Sequence, residues 1–143
     1  METRTGGRFG AAMTVFALAG LAIATYLLAT RILGEPPACG PVRGCETVAA
    51  SEYATLFGIP VAFFGVVFSV ALAISCFAWW RRANLKALYT SYGFGLAGVI
   101  AVAYLTYLEV FVIEAICVWC VGYAATIAAT CGLTAVAALR TSD

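Results

Sequence analysis

A chain of 143 residues that is 64% apolar and only 10% charged falls well below the roughly 25% charge of an ordinary soluble domain and is read as a membrane protein. The net charge of +1 points to no charged partner, so no nucleic acid is expected, and without a histidine the usual metal ligands are scarce. Arg4 and Arg8 precede the first apolar run, 10–33. At roughly 23 residues it exceeds the h-region of a signal peptide and lacks a clear small-residue cleavage site, so it is expected to stay as a spanning helix.

A polar connection follows at 34–58, opening with Gly34, Pro36, Pro37, Cys39, Gly40, Pro41, Gly44 and Cys45. Proline and glycine at this density exclude regular structure. They let the chain fold back until Cys39 and Cys45 approach the ~5.5 Å Cα separation of a disulfide. From Glu46 to Phe57 the apolar residues Val48, Ala49, Tyr53, Leu56 and Phe57 form a helical stripe. Three turns are too short to span, so a short amphipathic helix lying at the interface as a lid is predicted, with an inert loop anchor as the plainer alternative. Gly58 would stop it and Pro60 would sit in the first turn of the next helix.

Three more apolar runs follow, at 59–80, 87–108 and 113–139. In lipid the backbone must satisfy its own hydrogen bonds, so all four runs are predicted to be helices. Gly93, Gly95, Ala97 and Gly98 would allow close helix contact. The expected fold is therefore an all-α integral membrane four-helix bundle, a single domain over 1–143, with the lid helix in the loop between helices 1 and 2. Arg81, Arg82 and Lys86 lie in the second connection and Arg140 follows the fourth run. With Arg4 and Arg8 they place both termini in the cytoplasm by the positive-inside rule. The loop at 34–58 and the short turn at 109–114 then face outward, the compartment where disulfides persist.

Cys117 and Cys120 are three apart, so on a helix they share a face. Cys117 lies nearer the helix N-terminus, where the dipole favours thiolate, although Glu114 opposes this. A redox-active pair is the favoured reading, against a structural disulfide or a zinc site built with Cys39 and Cys45. Cys39 and Cys45 could be an inert staple, but closing so short a loop adds little stability, which favours a carrier pair. Cys131 shares the face of Cys120 but lies ~16 Å deeper, and Cys76 reads as a small apolar filler. Phe57, Phe63, Phe64, Trp119 and Tyr123 lie near the mouth, with Ser51 the nearest hydroxyl. They suit an apolar cofactor site with few polar groups, though each could simply be packing. A small four-helix transporter or assembly protein with structural disulfides is the rival, disfavoured because the central spans carry no ionisable residue.

The loop pair Cys39-x5-Cys45, Ser51 six residues on, Phe57-Gly58-Ile59-Pro60 with Gly65, and a Cys-x-x-Cys opening the last helix together resemble the vitamin K epoxide reductase family in its bacterial and archaeal members. The likeness covers nearly the whole chain. It implies a bundle around a quinone of menaquinone, ubiquinone or phylloquinone type and no metal. It also implies a thioredoxin-like electron donor, here a separate chain because no such domain is fused. Electrons would pass from Cys39 and Cys45 to Cys117 and Cys120, with Cys120 reducing the quinone. The chain departs from the vertebrate pattern at Val61, where an asparagine would stand, and at Ala124, where a tyrosine would stand; Tyr123 is one position earlier. The DsbB type of quinone-linked oxidase carries its Cys-x-x-Cys in the first outer loop, the reverse of the order here. The loop spacing looks microbial, so a bacterial or archaeal plasma membrane is expected, with the active site on its outer face.

Overall fold

The structure is a computed structural model and describes residues 2–34, 55–82, 84–114 and 118–142. Four helices carry it: α1 (Glu2–Leu33), α2 (Val61–Arg82), α3 (Leu85–Tyr107) and α4 (Val118–Ser142). All four are long and apolar enough to cross a membrane, α3 together with the π-helical turn Leu108–Ile113 that continues it. The shortest, α2 with 22 residues, still covers ~33 Å at 1.5 Å per residue, against a ~30 Å hydrocarbon core.

Two boundaries differ from those expected. The third helix does not stop at 108. Leu108, Val110, Val112 and Ile113 supply apolar side chains and nothing in Leu108–Ile113 breaks a helix, so the chain runs on until Glu114 turns left-handed at φ 58°. Consequently the apolar run expected from 113 is broken at Glu114, and α4 is described from Val118 onward. The second difference lies before α2. The predicted lid helix was to reach Phe57, but Thr55–Leu56 (β1) pairs antiparallel with Ile59–Pro60 (β2). Phe57 at φ 54° and Gly58 at φ 81° form the two-residue turn with both φ positive that suits the twist of a tight hairpin. A helical stripe and a strand cannot be told apart over so few residues, and the turn decides it. Pro60 therefore ends β2 instead of entering the helix, while 46–54 of the predicted lid helix lies outside the described residues. The Arg31 guanidinium donates to Thr55 Oγ1 at 2.8 Å, tying the hairpin to the last turn of α1.

The helices alternate in direction, so one end of the bundle holds the hairpin and the start of α4, and the other holds both termini. Helix α1 packs on α2 and α4, and α3 packs on the same two, which leaves α2 and α4 diagonally opposed. Large side chains such as Val15, Phe63, Val67, Ile74, Phe77 and Ile100 face outward, while Met13, Ala17, Leu72, Cys76, Leu88 and Ile127 fill the interior. That inside-out distribution suits a lipid surround. Buried hydroxyls of Thr14, Ser91, Thr130 and Thr134 donate to carbonyls three or four residues back, so polar side chains in the core need no water. Cys76 is fully buried among the core side chains, consistent with a core role.

Candidate redox site

Cys120 is the third residue of α4 and is partly buried. Cys39, Cys45, Cys117 and Ser51 lie outside the described residues.

Around Cys120 the first two turns of α4 are held by specific side chains. The Trp119 ring lies against Tyr26 of α1, with centroids 4.7 Å apart. One turn deeper, the Tyr123 hydroxyl sits 2.9 Å from Ser69 Oγ and 3.3 Å from the Gly65 carbonyl oxygen, both on α2. A carbonyl can only accept, so the phenol donates to Gly65 and Ser69 donates to the phenol oxygen. This polar contact crosses the bundle diagonal and fixes α4 in rotation against α2. The two helices run the same way, so a step of one turn, ~6 Å, toward the hairpin end brings Val61 on α2 level with Trp119 and Cys120 on α4.

By register Val61, Trp119 and Cys120 stand at one level, with Tyr123 and Ala124 one turn deeper, and all five are partly buried. It sets two expected contacts apart from them. Phe64 points outward beside Phe63, ring edge to face at 6.1 Å. Phe57 rides on the hairpin tip, 93% exposed. The sequence did not single out Ser69, although a serine four residues past Gly65 in an otherwise apolar helix was the available signal. Nor did it mark Glu109 as interior: this carboxylate, placed at an outer edge by its numbering, is only 4% exposed.

The model of the vitamin K epoxide reductase family matches residues 11–135. The chain belongs to that family. No curated protein matches it. Membership makes the chain a quinone-linked thiol oxidoreductase of the membrane and speaks against the transporter reading. The residue types suit a family whose acceptor is a quinone: Val61, Trp119, Ala124 and the Tyr123 ring, within a turn of Cys120 along the bundle, are apolar or aromatic, the chemistry a flat apolar ring requires.

The Ser69–Tyr123 contact can be tested directly. Tyr123→Phe is expected to cost about 1 kcal/mol, because buried hydrogen bonds between membrane helices are individually modest. Ser69, with Tyr123 gone, can turn back to the Gly65 carbonyl four residues earlier, which limits the loss. Ser69→Ala should cost a similar amount. In a double-mutant cycle read by detergent denaturation the two effects should be less than additive; full additivity would separate the side chains energetically.

Proposed function

We propose that this vitamin K epoxide reductase relative oxidises the dithiol of a thioredoxin-fold protein and delivers the electron pair to a membrane quinone. The observation that carries the reading is the position of Cys120, in the first turn of α4 between the Trp119 and Tyr123 contacts and level with Val61. A thiol there, at the end of a spanning helix and among apolar and aromatic residues, suits a thiol-to-quinone transfer.

The relay runs as successive thiol–disulfide exchanges. A partner thiolate attacks Cys39 of a Cys39–Cys45 disulfide, and the second partner thiol displaces it, so the partner leaves oxidised and the loop pair reduced. Cys45 then attacks Cys117 of a Cys117–Cys120 disulfide, and Cys39 closes on Cys45, leaving Cys117 and Cys120 as thiols. The quinone supplies the terminal acceptor for two electrons and two protons when Cys117 and Cys120 close again. Each exchange depends on the thiolate fraction of the attacking sulfur and on access to the attacked one. Val61, Trp119, Tyr123 and Ala124 would hold the quinone ring, with Ser51 contributing from the loop. Both termini lie in the cytoplasm of a bacterial or archaeal plasma membrane, and the cysteines face outward.

The experiment is partner trapping. In a Cys45→Ala variant Cys39 has no loop disulfide partner, so its thiolate attacks the disulfide of an oxidised thioredoxin-fold protein, one partner thiol leaves, and no Cys45 is present to displace the bound partner; membranes expressing it should accumulate this mixed disulfide, which reductant releases. Mass spectrometry of the released protein is expected to give a thioredoxin fold. Recovery of none, with quinone reduction by reduced thioredoxin-fold proteins also absent in the wild type, would overturn the assignment.

A further inference from the structure

Closing two thiols into a disulfide releases two protons along with two electrons, and a quinone must take up both to become hydroquinone. The chain has no histidine to move those protons. Glu109 offers a carboxylate instead, and it is buried at 4% exposure, whereas Glu114 five residues on is exposed. Holding an ionisable group inside a membrane bundle is costly, so such groups usually mark a functional path.

The contacts between α3 and α4 place this carboxylate relative to the thiol. A Cβ at Gly98 would lie 2.9 Å from Ile127 Cγ2, and one at Gly95 would lie 3.2 Å from Cys131 Cα, so these positions mark the facing stripes of the two antiparallel helices. Seven residues make about two helical turns and eleven about three, each within ~20°. Cys120, seven before Ile127, therefore lies on the α4 stripe that faces α3. Glu109, eleven after Gly98, lies on the α3 stripe that faces α4. Along the bundle Glu109 stands about one turn, ~6 Å, nearer the hairpin end than Cys120. It also occupies the second position of the π-helical turn Leu108–Ile113. Such widened turns recur where a helix re-aims a functional side chain. Burial and the π turn mark the carboxylate as unusual, and the shared stripe places it about one turn from Cys120.

We propose that Glu109 is the proton-transfer residue of the thiol-to-quinone step. Glu109 accepts the proton from a thiol of the Cys117 and Cys120 pair as the S–S bond forms and passes it to an oxygen of the membrane quinone, which takes the electron pair. The second thiol proton reaches the other quinone oxygen, so two thiols and one quinone become one disulfide and one hydroquinone. The inference rests on the function proposed above.

The test uses the full chain in lipid nanodiscs, as wild type, Glu109→Gln and Glu109→Asp. Glutamine keeps the shape of the side chain but cannot exchange a proton. Quinone turnover by Glu109→Gln is expected to fall about 10²-fold in kcat, the typical yield of general acid–base catalysis, with KM for the quinone unchanged. Glu109→Asp should restore part of it, and the thermal midpoint of Glu109→Gln should be no lower than that of wild type. A second readout needs no quinone: the pre-reduced protein, mixed with a small uncharged disulfide, should lose thiols about tenfold more slowly in Glu109→Gln. An unchanged thiol rate with unchanged kcat overturns the proposal, as does a loss of kcat that follows a lowered thermal midpoint and is not restored by aspartate. If wild type reduces no quinone, the relay fails as a function, while the thiol rate still decides Glu109.

Discussion

Replacing Cys120 with serine is expected to abolish quinone reduction, lowering turnover by at least about a thousandfold, as removal of a nucleophile does elsewhere. A hydroxyl is nearly isosteric with the thiol, but it does not ionise near neutral pH and cannot join a disulfide. Packing should be almost untouched, because the neighbouring anchors are the Trp119 contact with Tyr26 and the Tyr123 contact with Ser69. The variant should therefore keep its thermal stability. Exchange between a reduced partner and the Cys39 and Cys45 pair should persist for a single turnover, since that step precedes Cys120. The measurement is quinone absorbance in nanodiscs, with thiol counting after one turnover. Wild-type quinone reduction by Cys120→Ser would remove Cys120 from the path.

The parts of this protein legible in its sequence are those where one force decides. Long apolar runs must be helices in lipid whatever their neighbours do, and α2 and α4 came out within a few residues of the expected spans. Where two local choices lie close in energy, the sequence alone misleads. Thr55 and Leu56 fit a helical stripe, yet Phe57 and Gly58 both take positive φ and fold the segment into a hairpin. Six apolar-rich residues after Tyr107 contain no breaker, so the third helix runs on as a π turn rather than yielding to a loop. That extension is what carries Glu109 into the interior, and no count of charged residues at the rim could have shown it. Ser69 was hidden for a related reason. A lone serine in a membrane helix usually bonds to its own backbone, as Ser91 does, and only the path of α2 past α4 reveals that Ser69 meets Tyr123. The chemistry of the thiols was written in the spacing of the cysteines; the polar groups around them depend on how four helices happen to rotate.

Gly98→Leu is expected to be the most damaging substitution remote from the cysteines. Gly98 is buried where α3 meets both neighbours, and even a Cβ there would stand 2.7 Å from Phe68 Cζ and 2.9 Å from Ile127 Cγ2. The Phe68 ring is stacked edge to face on Phe94 at 5.8 Å, so it cannot swing away without breaking that pair. Inserting a whole isobutyl group must push α3 off α2 and α4, and overpacking of this kind typically costs 1–3 kcal/mol or more, here at about the upper end. Against a total stability of ~5–15 kcal/mol, yield and thermal midpoint should both drop clearly. Gly93 is the internal control: it lies on the same helix, but a Cβ there meets nothing within 4 Å. Gly93→Leu should leave the midpoint unchanged or slightly raised, since leucine is the better helix former. The paired measurement separates propensity from packing, because both variants make the same chemical change. Equal effects at the two positions would mean that α3 is not packed at Gly98 as described, and the register that aligns Glu109 with the start of α4 would fall with it.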